Sequence, residues 1–224
     1  RFTIAILALG GQGGGVLADW IIRLAEKNGF FAQGTSVPGV AQRTGSTIYY
    51  IEMVRRASEG TNHPPPVLAL MPVPGDVDVV LASELMEAGR AMVRGFVSSD
   101  RTTLIGSTHR IYAISEKSAR GDGRISSEKI LEAAGRRAQR FIGFDLDAAS
   151  TQSSSVISAV MLGALAGAEA LPFDKTEFED AIREGGIAVA ANLHGFDAGL
   201  AGARERAATP DANAATPAPT SSTG

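Results

Sequence analysis

The sequence contains no cysteine. Without thiolates the chain cannot by itself hold an iron–sulfur cluster, form a disulfide or offer a cysteine nucleophile. Any redox centre it serves is therefore a bound organic cofactor or belongs to another polypeptide. Histidine is scarce too. His63, His109 and His194 stand apart from one another, no two at ligand spacing on a helix, so no protein-bound metal is expected. Long apolar runs are missing. Residues 156–168 fall short of the roughly 20 needed to span a bilayer, and their Gly and Ala suit a closely packed buried helix. The opening run, residues 2–9, breaks into glycines with no clear cleavage site after it, unlike a signal peptide. A strong charge of either sign is also absent: 21 basic and 24 acidic residues leave a net −3. Basic residues cluster only in pairs such as Arg55-Arg56 and Arg136-Arg137, so neither nucleic acid nor a membrane is an expected partner. A cytoplasmic location is the plain expectation.

What is present is an ordinary globular composition, 44% hydrophobic over 224 residues, enough for one large domain with a tail. Residues 4–9 form a continuous apolar run of strand length that stops at glycines, the pattern of a buried parallel strand. Val16, Leu17, Trp20, Ile21 and Leu24 then recur at helical spacing, and Gly29 closes that helix. Residues 30–34 read as a short second strand, 35–45 as a polar, glycine-bearing segment and 46–54 as a longer strand. Residues 55–76 hold Pro64-Pro65-Pro66, Pro72 and Pro74 and read as a long irregular connection. Further strands are predicted at 77–82, 102–105, 110–114 and 141–146. Helices are predicted at 84–93, from a cap at Ser126 or Ser127 through 138, and at 155–168, 176–184 and 187–196. Strands alternating with helices predict an α/β, Rossmann-like fold: a mostly parallel sheet with helices on both faces. Beyond Arg206 the composition collapses to Ala, Thr, Pro, Ser and Gly, with little else. This divides the chain into a domain at 1–205 and a disordered tail or linker at 206–224.

Two segments carry candidate chemistry. Gly10, Gly11, Gln12 and Gly13 follow the first strand and open the first helix, in a dinucleotide-type G-x-G-x-x-G pattern with Ala8 at the first glycine. Glycines let a backbone approach an anion, and the helix start offers unpaired N–H groups and the positive end of a dipole. The same glycines also serve a plain tight turn. No Lys-Ser/Thr follows, which excludes a P-loop, and no carboxylate ends the second strand, which argues against NAD. The second segment, Pro38-Gly39-Val40-Ala41-Gln42-Arg43-Thr44-Gly45-Ser46, sets a guanidinium, an amide and hydroxyls among glycines just before a strand. The planar fork of Arg43 suits a phosphate or a carboxylate, on a ligand or across an interface. Gln42, Thr44, Gly45 and Ser46 join it as candidate binding residues. The chain offers no candidate catalytic residue.

These paired loops resemble the gamma, or small-subunit, family of 2-oxoacid:ferredoxin oxidoreductases. The resemblance continues through Asp78-Val79-Val80-Leu81-Ala82-Ser83-Glu84, Met161-Leu162-Gly163-Ala164-Leu165-Ala166 and Leu171-Pro172, and covers roughly residues 1–200. Ser36-Val37-Pro38-Gly39-Val40-Ala41-Gln42-Arg43-Thr44-Gly45 is most similar to the indolepyruvate oxidoreductase beta subunit. The resemblance implies oxidative decarboxylation of a 2-oxoacid, indolepyruvate or another aryl-pyruvate, on thiamine diphosphate, with transfer of the acyl group to coenzyme A and of electrons to ferredoxin. It places thiamine diphosphate and 4Fe-4S clusters on a large partner subunit, and this chain at the coenzyme A side and the subunit interface. Ala8 and Gly14-Gly15 depart from the family pattern. Two rival readings stand beside this one: a non-catalytic scaffold domain, and a free-standing nucleotide-binding dehydrogenase.

Overall fold

The computed structural model describes residues 1–38, 46–57, 66–110 and 126–208. Among these residues six strands form one sheet in the order β2-β3-β1-β4-β5-β6. They are β1 (Phe2–Leu9), β2 (Phe30–Pro38), β3 (Ser46–Arg55), β4 (Val79–Ala82), β5 (Thr103–Ser107) and β6 (Arg140–Phe144). β1, β4, β5 and β6 pair in parallel, whereas β3 runs antiparallel to both β1 and β2. The helices are α1 (Gly14–Lys27), α2 (Leu85–Val93), α3 (Ser127–Arg137), α4 (Leu146–Gln152), α5 (Ile157–Gly167), α6 (Lys175–Gly185) and α7 (Val189–Ala208).

β1 is apolar from Ile4 to Leu9 because both of its faces are covered. Ile4, Ile6 and Ala8 pack into one core with α1, α5, α6 and α7; Ala5 and Leu7 pack into a second with α2 and α3. The α/β, Rossmann-like sheet expected from the sequence is therefore what the chain forms. Its edge is mixed rather than purely parallel, because residues 30–55 fold back on themselves as two long antiparallel strands.

Local chemistry sets the helix ends. The Glu84 carboxylate accepts the Glu87 N–H at 2.9 Å, and the Asp145 carboxylate accepts that of Ala148 at 2.8 Å. Asp174 and Glu177 form a reciprocal capping box at the start of α6, which ends at Gly186 in the left-handed region. The Asp145 cap explains one correction to the sequence reading: β6 stops at Phe144, and Leu146, expected at the end of that strand, instead opens α4. β2 runs on to Pro38, past the expected Gly34, because β3 supplies a partner for every added residue. The last helix begins at Val189 and continues to Ala208, past the change of composition at Arg206. Residues 66–78 contain no helix or strand. Arg110 is not in a strand, and the rest of the strand expected there, 111–114, lies outside the described residues, as does 209–224.

Apart from Ser158 in its first turn, α5 is apolar all round and almost wholly buried, as a helix packed on every side must be. Its contact with α7 is made backbone to backbone. A Cβ on Gly163 would lie 1.9 Å from the Phe196 carbonyl oxygen, and one on Gly199 would lie 1.9 Å from that of Val160.

Candidate functional site

The parallel strands all point their carboxyl ends the same way. Gly10 after β1, Ser83 after β4 and Asp145 after β6 therefore gather at one edge. The helix after β1 crosses one face of the sheet and the helix after β4 the other, so β1 and β4 flank a topological switch point, where open α/β sheets form ligand crevices. β3 starts at this same edge, with Ser46 opposite Leu9, and β2 ends there, with Pro38 opposite Thr47. The topology thus brings both ends of the second candidate segment to the glycine loop. Gln42, Arg43, Thr44 and Gly45 themselves lie outside the described residues.

The loop is held by its glutamine. Gln12 Oε1 accepts the Leu9 N–H at 3.1 Å and a hydrogen bond from the Ser83 hydroxyl, while the Gln12 N–H donates to the Leu9 carbonyl at 3.1 Å. Gln12, predicted as a binding residue, fastens the turn to β1 and β4 through its carbonyl oxygen. Gly11 and Gly13 have φ of 86° and 72°, conformations that favour glycine. No described residue comes within 4 Å of a Cβ built on Gly10 or Gly11, whereas a Cβ on Gly13 would come within 2.8 Å of the Ser158 hydroxyl. Gly14, one of the departures from the family pattern, has a packing reason here. Its added Cβ would lie 2.5 Å from the Tyr49 ring and 2.9 Å from the Ala8 Cβ, so Ala8, Gly14 and Tyr49 form one matched set.

Beside the loop opens a cleft of about 450 Å³. Gly11, Gln12 and Gly13 line it, with Val16 and Trp20 of α1 and Asp147 and Ser150 of α4. Opposite them stand Val156, Ile157 and Ser158 at the start of α5, and Ile187, Ala188 and Asn192 at the start of α7. Three helix amino termini thus meet here: those of α1, α5 and α7. None has an acidic residue in its first turn, and neither α1 nor α5 has a side-chain cap. First-turn N–H groups have no partner within their helix and carry partial positive charge, so their convergence favours an anion. Ser158 adds a hydroxyl. The residue is 1% exposed, lines the cleft, and makes no side-chain hydrogen bond among the described residues. Two non-glycine residues next to this end of the fold, Ser154 and Ala188, hold positive φ of 50° and 46°. Such strain persists only where surrounding structure enforces it, and it concentrates at ligand sites. Among the described residues Asp147 is the one carboxylate lining the cleft.

Sequence reasoning placed the glycine loop at this edge and missed the opposite wall. The signal available for that wall was Ser153-Ser154-Ser155 ahead of an apolar helix, a polar start without a good capping residue at Val156. Among the described residues no group of three or more His, Asp or Glu side chains is placed to hold a metal, and no helix is long and apolar enough to cross a membrane.

The family profile described as pyruvate ferredoxin/flavodoxin oxidoreductase matches residues 3–202. The chain belongs to this family. Solved structures similar to this pyruvate ferredoxin/flavodoxin oxidoreductase family member share its fold at low identity. A keto/oxoacid ferredoxin oxidoreductase gamma subunit from Geobacter sulfurreducens is 16% identical with a TM-score of 0.59, over 91% of this chain and 98% of that one. The pyruvate oxidoreductase subunit PORC from Thermotoga maritima is 18% identical with a TM-score of 0.56, over 89% and 95%. The 2-oxoglutarate:ferredoxin oxidoreductase from Magnetococcus marinus, with 2-oxoglutarate, coenzyme A and succinyl-CoA bound, is 14% identical with a TM-score of 0.59. That match covers 91% of this chain, which spans 31% of the Magnetococcus chain. No curated protein sequence is significantly similar.

Proposed function

We propose that this chain is the small subunit or domain of a 2-oxoacid:ferredoxin oxidoreductase, and that its cleft receives an anionic part of coenzyme A. The observation that carries the reading is the cleft itself: three acid-free helix starts, a glycine loop and the buried Ser158 hydroxyl face one space at the switch-point edge. Phosphates of an acyl carrier suit such a wall, since the N–H groups supply both hydrogen bonds and favourable potential. Membership of the family and the coenzyme A named for the Magnetococcus enzyme support the choice of ligand. Oxidative decarboxylation needs thiamine diphosphate and iron–sulfur clusters. This chain has no cysteine to hold a cluster, so those groups are assigned to the large partner subunit, with ferredoxin as the electron acceptor. The substrate is proposed to be indolepyruvate or a related aryl-2-oxoacid, on the likeness of residues 36–45 to the indolepyruvate enzymes.

The test uses the complex purified with its native partners. Ser158→Asp sets a carboxylate among the helix starts and is expected to raise the apparent KM for coenzyme A about tenfold or more, leaving the KM for the 2-oxoacid unchanged. Arg43→Lys keeps the charge but loses the planar fork. If Arg43 grips a phosphate, this variant loses about 1.5–3 kcal/mol, again about tenfold or more in the same KM. Normal coenzyme A kinetics in both variants, with assembly intact, would move the role of this chain from ligand binding to scaffold. Turnover of the wild-type complex on pyruvate or 2-oxoglutarate but not on indolepyruvate would reject the aryl assignment alone.

A further inference from the structure

On the opposite face of the sheet from the cleft, α2 and α3 leave a second depression of about 430 Å³ between them. Met86 and Met92 of α2 and Ile130 of α3 give it an apolar floor. Gly89 of α2 lines it as well. A Cβ built there would rest in ordinary contact with Ile130, 3.8 Å away, so a larger side chain at this position would extend over the floor. Val93 stands on its lip, 86% exposed.

The rim is cationic. Arg90, Arg94, Lys129 and Arg137 all line the groove, and among the described residues no acidic one does. Arg90 is paired with the buried carboxylate of Glu87, whereas Arg94, Lys129 and Arg137 form no ion pair among the described residues. Four cations gathered around an apolar floor, in a chain whose net charge is −3, make a locally inverted surface. Like charges so placed repel one another until an anionic partner neutralises them. A bare phosphate would leave the floor wet, and a neutral apolar partner would leave the rim uncompensated.

We infer that this groove seats an acidic segment of the partner subunit, one or two large apolar side chains reaching the floor and carboxylates on either side meeting the rim. The inference rests on the reading of the chain as a subunit. Other occupants fit less well. Residues 209–224 of this chain carry Asp211 as their only acid and no Val, Leu, Ile, Met or aromatic residue. A second copy would bring the exposed acids Asp180 and Glu184 of α6, which are already paired with Lys27. Methionine floors suit such docking, since flexible thioethers adapt to the incoming side chain. The geometry is that of an amphipathic segment laid in a groove.

The experiment uses the complex of this chain with its large subunit. A photo-reactive benzoylphenylalanine replaces Val93, a second complex carries it at Val67, and the cross-linked peptides are sequenced by mass spectrometry. The expected Val93 product is a segment of the large subunit with carboxylates flanking a large apolar side chain. In parallel, Gly89→Leu fills the groove, and the combined Arg94→Glu, Lys129→Glu and Arg137→Glu change inverts its rim. Each is expected to weaken subunit association about tenfold or more at about 0.1 M salt, with thermal unfolding of the isolated chain unchanged. The rim variant also loses the salt dependence of association. Arg23→Glu on α1 leaves association unchanged. If the complex assembles but Val93 cross-links to another copy of this chain or to nothing, the inference is overturned while the subunit reading stands. The same holds if coenzyme A alone blocks the cross-link, or if both groove variants bind normally. If the chain purifies from its native source without a large subunit, the subunit reading fails and this inference fails with it.

Discussion

Gly11 and Gly13 both hold left-handed backbone, but their surroundings differ, and so do the expected costs of a methyl group. A Cβ on Gly11 meets no described residue, so Gly11→Ala should lose only conformational strain, about 1 kcal/mol. Gly13→Ala adds a clash with the Ser158 hydroxyl and should lose about 2–3 kcal/mol. A double-mutant cycle with Ser158→Ala checks this. Relief of the clash appears as a coupling of at least about 0.5 kcal/mol, and strict additivity would mean that the two residues do not press on each other. Tyr50 provides a pH signature away from the site. It is 3% exposed on β3, and burial, reinforced by the charge of Glu52, pushes its phenol from 10.0 up to about 12. Below pH 10 the hydroxyl stays protonated in folded and unfolded chains alike, and stability is fully present. Between pH 10 and about 12 only the unfolded chain ionises, so stability falls across that window and levels off above it. Urea unfolding at stepped pH should show a shallower fall for Tyr50→Phe than for the wild type. Equal slopes would refute the shifted phenol. At this scale the sequence disclosed half of the site. Gly11 and Gly13 carry their chemistry in their identity, whereas Ser158 and Asn192 become site residues only through the long-range packing of α5 and α7.

The contact between α5 and α7 depends on two glycines and leaves no room for a Cβ on either. Gly163→Ala would drive its methyl into the Phe196 carbonyl, and Gly199→Ala into that of Val160. Each should destabilise the chain by about 3 kcal/mol or more, at the upper end of overpacking costs, because backbone rather than a flexible side chain must move. Guanidinium unfolding checks this, and a loss below about 0.5 kcal/mol would show that the helices separate freely. Elements with a strong local signature were legible. The apolar run of β1, the periodicity of α1 and the all-round apolar α5 matched their segments because period and burial agree. The start of α4 was not, since Phe141 to Leu146 reads as an apolar strand until Asp145 is seen to cap the next helix. The antiparallel course of β3 was also hidden. Strand residues are the same in either direction, and only the pairing of Ser46 with Leu9 reveals which way the strand runs.

At the scale of the molecule, alternation of strands and helices was enough to read the α/β class, but not the mixed edge. The lack of cysteine makes a prediction about the purified chain. Alone, it should show no visible iron–sulfur absorbance and no turnover of any 2-oxoacid. Turnover by the single polypeptide, verified free of other subunits, would overturn the division of labour proposed here. Adding the large subunit should bring activity, with coenzyme A dependence that responds to Ser158 and Arg43.

The backbone contact between α5 and α7 also bears on how the cleft breathes. These two helices supply its far wall, and at Gly163 and Gly199 they approach too closely to slide past one another. Their amides should therefore exchange with solvent deuterium as a single cooperative unit, at rates set by unfolding of the domain as a whole. The opposite wall includes a glycine turn that Gln12 fastens to Leu9 and Ser83 through its side-chain oxygen, and to the Leu9 carbonyl through its backbone N–H. Any change in the width of the cleft should then fall to the turn and to the α1 and α4 residues beside it, with the far wall as the fixed jaw.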